Sequence, residues 1–534
     1  MPPVSRSPAG RHFPSRPHSR NAVPPDGKEN RPPSPWPEPS PLLPPLSQEA
    51  RRLLETLARA LADVRPLRTA HRKALPRDIA DLSRLLTVDR AELHHPYWGS
   101  PGLASAYLHY FLPWNIVRLA RLLSALPLPD PRRWLDRGLS PLLLDAGSGP
   151  LTVPLALWLA RPEWRSLPLH VLALDTASLP LDLGRRLLQA WAGLSGRPSA
   201  WTVTTARGPL EHLPRHAARL LRERGEDGPS SVWLVSAANV LNELYGKGQD
   251  HEAAAAVDDA ADDEAEGAAT AGRLPGVLDA LAPLLWEGPE GDDAPLPAAL
   301  FVEPGTRLGG KTVMRLRTLA LEGGLSVSAP CPHDGTCPLL ADRRRGWCHF
   351  TFDSDGAPGW LRALSEQAGL AKSSLSLAPL LLTPGDRTVA RPSDGVRVLS
   401  APFRVPGVRG EARYACAARG LLLLERAEDL PSGALLRAEI PANAAVDAKS
   451  GALVLPAPAG RPAGRPTRRP TTGKDGPQDG RRPAAERQAR PSRRREASRD
   501  EQDDAPRRSA PDRMRPAGGR GRTGKPGAPF QKGR

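Results

Sequence analysis

The sequence predicts an α/β fold built on a Rossmann-type, doubly wound parallel sheet. A helical cap precedes the sheet, a cysteine-rich metal segment and a small β-rich module follow it, and both termini are disordered. Three observations carry this reading. Between Pro141 and Pro304, short apolar runs alternate with helix-like segments, the pattern of strands and crossovers that buries a parallel sheet between helices. A glycine pair stands where the first run meets the next helix. All four cysteines lie downstream of residue 330.

A chain of 534 residues is long enough for two or three domains, but 63 prolines and 48 glycines imply that part of it does not pack. The net charge is +16, and the stretch from Ala457 to Arg534 holds 22 Lys/Arg against 9 Asp/Glu, or +13, leaving only +3 for everything before it. Such asymmetry points to a basic arm for a polyanion, because phosphate contacts release counterions whatever the base sequence. Four clustered cysteines exclude a disulfide framework spread over the chain and favour a metal. There is no run of about 18 apolar residues and no apolar segment near Met1, so a soluble, unsecreted protein is expected. The first twenty residues are rich in Arg and Ser and lack acids, as in transit peptides, but their prolines break an amphipathic helix.

Residues 1–46, with Pro32-Pro-Ser-Pro-Trp-Pro-Glu-Pro39, are expected to be disordered because they bury too little apolar surface. Residues 47–135 form the helical cap: Leu53, Leu54, Leu57, Leu61 and Val64 recur at helical spacing, and more helix runs from Leu103 to Leu126. Its aromatics, Tyr107, Tyr110, Phe111 and Trp114, read as a packing surface, with an RNA-stacking surface as the alternative. Residues 136–325 form the Rossmann domain, with strands over 142–145, 170–175, 200–205, 232–236 and 299–303. Within it, residues 249–272 make an acidic insertion; Asp258-Asp-Ala-Ala-Asp-Asp-Glu264 lacks the glycine and spacing of a calcium loop and reads as solvated. Residues 326–456 carry the cysteines and the β-rich module, with strands near 396–398, 413–416 and 421–424. Residues 457–534 are a Gly/Pro/Arg low-complexity tail.

Leu142-Leu-Leu-Asp-Ala-Gly-Ser-Gly-Pro150 places Gly147 and Gly149 between a buried strand and a helix start. Glycine lets the backbone turn sharply and approach a ligand, and free amides at the helix start favour a carboxylate or another anion. Asp175 ends the next strand, 26 residues beyond Gly149, where a carboxylate can accept from ribose hydroxyls. Pro150 stands in place of the third glycine of the dinucleotide fingerprint, which disfavours NAD. Ser236-Ala-Ala-Asn-Val-Leu-Asn-Glu-Leu-Tyr245 follows the fourth strand, and Asn239, Asn242 and Glu243 either meet a ligand there or cap a helix. The candidate cofactor-binding residues are therefore Asp145, Gly147, Gly149, Asp175 and Asn239. Glu303 ends the fifth strand as a polar wall of the pocket or part of a turn. No catalytic residue is assigned.

Cys331, Cys337, Cys348 and Cys416 are separated by five, ten and sixty-seven residues. Four thiolates complete either a tetrahedral zinc site or an iron–sulfur cluster. The closely paired cysteines of a structural zinc knuckle are absent, and prolines after Cys331 and Cys337 resemble ferredoxin-type ligand runs. A Cys₃His zinc site using His333 or His349 remains the alternative.

Asp145-Ala-Gly-Ser-Gly-Pro150, Asn239-Val-Leu-Asn-Glu243, Val302-Glu-Pro-Gly-Thr306, Cys331-Pro-His-Asp334 with Cys337-Pro, and Trp347-Cys-His-Phe350 together resemble the methyltransferase-like family of mitochondrial small-ribosomal-subunit (Rsm-type) proteins and their bacterial relatives. The resemblance covers about residues 95–430. It implies a Rossmann-type S-adenosylmethionine-dependent methyltransferase fold, with Gly147 and Gly149 at the methionine end of S-adenosylmethionine and Asp175 at its ribose. It also implies a 4Fe-4S cluster on Cys331, Cys337, Cys348 and Cys416, with zinc as the alternative, and small-subunit rRNA and ribosomal assembly intermediates as partners. The implied activity is rRNA methylation; the alternative is a catalytically silent assembly factor that uses the fold as an RNA-binding scaffold. The Ala/Arg/Pro/Gly-rich composition favours a bacterial cytoplasm, with the mitochondrial matrix expected for a eukaryotic member. The acidic insertion and basic tail depart from the family pattern.

Overall fold

Helix α6 (Thr152–Ala160) is buried at almost every position and has no polar face, so it must be covered on the side away from the sheet as well as on the side facing it. The N-terminal helices supply that cover. They are α1 (Gln48–Val64), α2 (Thr69–Thr87), α3 (Pro101–Ala106), α4 (Leu112–Ala125) and α5 (Arg132–Leu135). Helix α4 packs on α6, and α1 packs on α7 (Ser178–Leu194), where the Trp191 indole donates to Leu53 O at 3.0 Å.

The structure is a computed structural model, and it describes residues 35–87, 97–196, 198–226, 228–241, 273–286, 293–340, 346–385, 394–406 and 410–458. The chain divides into Met1–Ala463 and Gly464–Arg534, and the second unit lies wholly outside the described residues. So do residues 1–34, the acidic insertion at 249–272, and Asn242 and Glu243.

The larger sheet has eight strands. These are β1 (Leu142–Ala146), β2 (His170–Asp175), β3 (Thr202–Arg207), β4 (Val232–Ala238), β5 (Ala298–Pro304), β6 (Leu325–Ala329), β7 (Phe350–Asp353) and β8 (Ser374–Pro384). Their order is β3-β2-β1-β4-β5-β8-β6, with β7 paired to β8. Strands β1 to β5 are mutually parallel and β8 is antiparallel to β5, β6 and β7. The expected α/β class and mostly parallel central sheet are thus observed. Along β1 the side chains alternate, Leu143 towards the cap and Leu142 and Leu144 towards α8 (Leu213–Glu223), α9 (Leu274–Trp286) and α10 (Arg307–Glu322). Chain order reverses between β1 and β4, so the loops after these two strands flank the crevice where ligands of open α/β sheets bind.

Helix α11 (Gly359–Gln367) precedes β8, and a second sheet of five strands follows it. Its order is β12 (Leu435–Arg437), β9 (Gly395–Val398), β10 (Arg413–Ala417), β11 (Gly420–Leu424), β13 (Leu453–Leu455).

Two expectations need correction. Residues 35–46, placed by the sequence in the disordered Pro-rich start, are packed. Trp36 lies in the core of the five-stranded sheet and its indole donates to Glu425 O and Arg426 O, while Leu42, Leu43 and Leu46 are buried elsewhere. Prolines already restrict this segment's unfolded backbone, which lowers the entropy lost on docking. Buried Arg121 on α4 also holds it, donating to Leu43 O at 2.9 Å and Pro44 O at 3.0 Å. The second correction concerns the helix expected over 103–126, which is interrupted by a π turn at Tyr107–Phe111. In a regular α-helix Pro113 would clash with the carbonyl four residues back, and the chain widens so that Leu112 N donates to Tyr107 O.

The docking of Trp36 gives a direct test. Trp36→Ala should destabilise the folded chain by about 3–5 kcal/mol, as for other buried tryptophans, measured by urea unfolding. An unchanged unfolding midpoint would show that residues 35–46 do not pack.

Candidate functional site

The crevice is built from the loop after β1. Gly147 (φ +59°) and Gly149 (φ +53°) adopt left-handed conformations that side chains rarely tolerate. A Cβ on Gly147 would lie 2.3 Å from Val240 Cγ2, so this glycine lets the loop touch the segment after β4. Gly149 instead faces open space, with nothing within 4 Å of the position a Cβ would take. Ser148 N donates to Leu174 O and Gly149 N to Asp175 Oδ2, both at 2.9 Å. The other Asp175 oxygen accepts from Ala177 N at 2.9 Å. Asp175 therefore ties the glycine loop to the end of β2.

Asp145 lies under the loop, 1% exposed, and accepts from Ser148 Oγ and Ser236 Oγ at 2.5 Å each. Burial pushes its pKa up to about 7; the two serine hydrogen bonds oppose the shift and the Asp175 charge adds to it. Asn239 has a left-handed backbone (φ +60°), donates its amide to Val302 O at 2.8 Å, and accepts from Arg118 Nη2 at 2.7 Å. Glu303, fully buried at the end of β5, accepts from Leu241 N at 2.9 Å. The indole of Trp347 donates to Gly305 O at 3.0 Å. The fold thus brings Asp145, Gly147, Gly149, Asp175, Asn239 and Glu303 to one edge of the sheet.

Sequence reasoning missed three residues of this site. Ser148 and Ser236 are small polar residues beside an acid and carry no separate signal. Arg118 is half-buried on α4 with its Nε shielded from solvent, donating also to Asn115 Oδ1 at 3.0 Å and Ser376 O at 3.3 Å. Its signal was available: α4, LPWNIVRLARLLSA, carries two arginines and no acid to pair with them.

The four cysteines form a second centre. Cys331 and Cys337 follow β6, Cys348 precedes β7, and Cys416 lies on β10. Burial, then the neighbouring Cys331 and Cys337, and for Cys348 also Cys416, raise the pKa values of Cys348 and Cys416. Arg317 on α10 donates to Cys331 Sγ at 3.2 Å and to His333 O and Gly335 O at 2.8 Å. Burial acts to lower the Arg317 pKa, but the surrounding thiols outweigh it and the net shift is upward. His333 Nε2 is 3.3 Å from Cys416 Sγ. His349 stacks on Trp347, 5.1 Å between ring centres, and its Nδ1 contacts Trp347 O. The thiols share one electrostatic neighbourhood, yet among the described residues no group of three or more His, Cys, Asp or Glu side chains is arranged to hold a metal ion.

Fold and site define an α/β protein with a loop-and-carboxylate crevice at the carboxyl edge of a doubly wound sheet. Residues 292–355 match the model of the family described as Rsm22, mitochondrial small ribosomal subunit Rsm22. That segment holds Val302-Glu-Pro-Gly-Thr306, Cys331, Cys337 and Trp347-Cys-His-Phe350, motifs that carry the resemblance to the methyltransferase-like Rsm-type family. No curated protein matches the chain. Among solved structures it is similar to a loganic acid methyltransferase (11% identity, 52% of this chain and 94% of the other, TM-score 0.29). It is also similar to TrmN from Thermus thermophilus (14% identity, 52% and 53%, TM-score 0.23). A third is an arsenic(III) S-adenosylmethionine methyltransferase from Chlamydomonas reinhardtii (15% identity, 50% and 75%, TM-score 0.21). Among the described residues no helix is long and apolar enough to cross a membrane.

The raised pKa of Asp145 fixes the sign of a pH effect. From about pH 4 to 7 the folded state binds this proton more tightly than the unfolded chain, so the contribution is present at low pH and is lost as pH rises through the window. Asp145→Asn removes the term. Relative to the unsubstituted protein, the variant should gain on the order of a few kcal/mol of unfolding free energy between about pH 4.5 and 8. A constant difference across that range would show that Asp145 is ionised throughout.

Proposed function

We propose that this protein binds S-adenosylmethionine in the crevice between β1 and β4 and acts as a methyltransferase on small-subunit rRNA during ribosome assembly. The observation that carries the reading is Gly149, whose left-handed backbone leaves open space beside a carboxylate, Asp175, at the switch point of the sheet. A carboxylate at the end of β2, such as Asp175, suits ribose hydroxyls, and Asp145 braces the loop from below. The rRNA substrate rests on the family match over residues 292–355 and on the basic tail. The Rsm22 description names a mitochondrial subunit; the Ala/Arg/Pro/Gly-rich composition favours a bacterial cytoplasm, with the mitochondrial matrix for a eukaryotic chain.

Cys331, Cys337, Cys348 and Cys416 would hold a 4Fe-4S cluster, and their chemistry fits one. Burial raises the pKa values of Cys337, Cys348 and Cys416, so these thiols stay protonated unless a soft metal deprotonates them. Arg317 and Arg397 stand beside them as buried cations that offset part of the resulting charge. Such a cluster would staple the segment between β6 and β7 to β10, so that its binding would add to folding free energy.

Calorimetric titration with S-adenosylmethionine tests the donor site. The unsubstituted chain should bind, Asp175→Ala should lose roughly ten- to hundredfold in affinity, and Gly149→Arg should abolish binding. In a transfer assay with labelled donor and immature small subunits, label should enter rRNA. Subunit binding without transfer would leave the assembly-scaffold reading standing instead.

Anaerobically purified protein should be brown, with iron and acid-labile sulfide at about four each per chain. Stoichiometric zinc without sulfide would replace the cluster by a zinc site. Cys416→Ser should lower both metal content and thermal stability.

A further inference from the structure

Arg118 is a half-buried cation whose guanidinium the described protein does not fully satisfy. Its Nη2 serves Asn115 and Asn239, its Nη1 has only a long 3.3 Å bond to Ser376 O, and its Nε has no partner. No carboxylate among the described residues lies within ion-pair distance; the nearest acidic influences are Glu303 and the Tyr107 phenol, which act through their fields. Burial lowers the Arg118 pKa to about 10, so the group stays charged at neutral pH. A second cation adds to the positive corner: Lys372, in the field of Arg118, sits 5.8 Å above the Tyr110 ring. An uncompensated, partly buried guanidinium with a free N–H is costly unless an anion completes it.

The position of Arg118 says which anion. It holds Asn239, and the next residue, Val240, packs against Gly147. The glycine-loop amides at Ser148 and Gly149, otherwise the natural donors to a ligand carboxylate, already donate to Leu174 O and Asp175. The acids of the crevice, Asp145, Asp175 and Glu303, repel an anion. Among the described residues Arg118, with Lys372 near it, is left as the cation on that side able to receive one.

We propose that Arg118, reaching from the helical cap over the carboxyl edge of the sheet, receives the α-carboxylate at the amino-acid end of the donor. This rests on the donor-binding reading above. Arginine suits the task because its planar fork remains charged when buried and can hold Asn239 and a carboxylate together.

The test compares two probes, S-adenosylhomocysteine and methylthioadenosine, which share the adenosine and thioether but differ in the amino-acid end. The unsubstituted chain should bind S-adenosylhomocysteine roughly ten- to hundredfold more tightly than methylthioadenosine. Arg118→Gln should erase most of that preference while leaving methylthioadenosine affinity nearly unchanged, and Arg118→Lys should restore part of it. If the Gln variant does not fold, a wild-type titration with the carboxamide of S-adenosylhomocysteine asks the same question; binding as tight as the acid overturns the proposal. Equal weakening of both probes by the Arg118 variants would make Arg118 a structural prop and overturn the proposal while donor binding stands. If the unsubstituted chain binds neither probe, the donor-binding reading falls and the proposal with it.

Discussion

Helix α6 sets the constraint from which the rest of the molecule follows. A first crossover helix with one polar face lies on its sheet and needs nothing above it. Thr152–Ala160 has no such face, and leaving it bare would expose an apolar patch that invites association. The cap is the answer: α4 lies on α6, α1 on α7, and the Arg161 guanidinium fastens them by donating to Leu123 O at 2.8 Å and Leu126 O at 2.7 Å. The same α4 also brings a positive charge to the carboxyl edge. One hydrophobic requirement thereby both encloses the domain and furnishes a wall of its crevice.

Much of this was legible in the chain. Strands β1, β2, β4 and β5 are buried on both faces, so they read as unbroken apolar runs bounded by turns. The glycine turn and the terminal aspartate of β2 are fixed by local geometry and stand where their order implied. Strand β8 escaped notice because Pro379 interrupts it, and a proline argues against a central strand. Pro379 opposes Val302 on β5, but on the other side it falls between the residues paired with β7 (374–377) and those paired with β6 (381–384), where a missing N–H breaks no ladder. Arg118 was hidden for another reason. A charge in a helix is usually solvated, and although two arginines without an acid on α4 were visible in the sequence, it is tertiary placement that shows this one reaching the crevice.

The thiol centre is a seam between the two sheets. Cys331, Cys337 and Cys348 come from loops around β6 and β7, Cys416 from β10, and Arg397 of β9 reaches back to Pro330 O at 2.7 Å while also holding Gly433 O. Spacing along the chain revealed the first three cysteines as a set, but sixty-seven residues separate the fourth. What makes Cys416 a member is the antiparallel pairing of β10 with β9 and β11, which depends on contacts remote in sequence.

The docking of Trp36 has a consequence in time. Its acceptors, Glu425 and Arg426, lie 389 and 390 positions later, so at translation speeds of about 5–20 residues per second the tryptophan waits roughly 20–80 s for its pocket to be made. The helices of the cap can form from local sequence as they emerge, and the parallel sheet can collapse beneath them. The Trp36 end of the strap in front of them cannot. During synthesis it remains an unsatisfied apolar tether, open to chaperones, and its capture is among the last acts of maturation, a mark that the polypeptide has been made at least as far as β11.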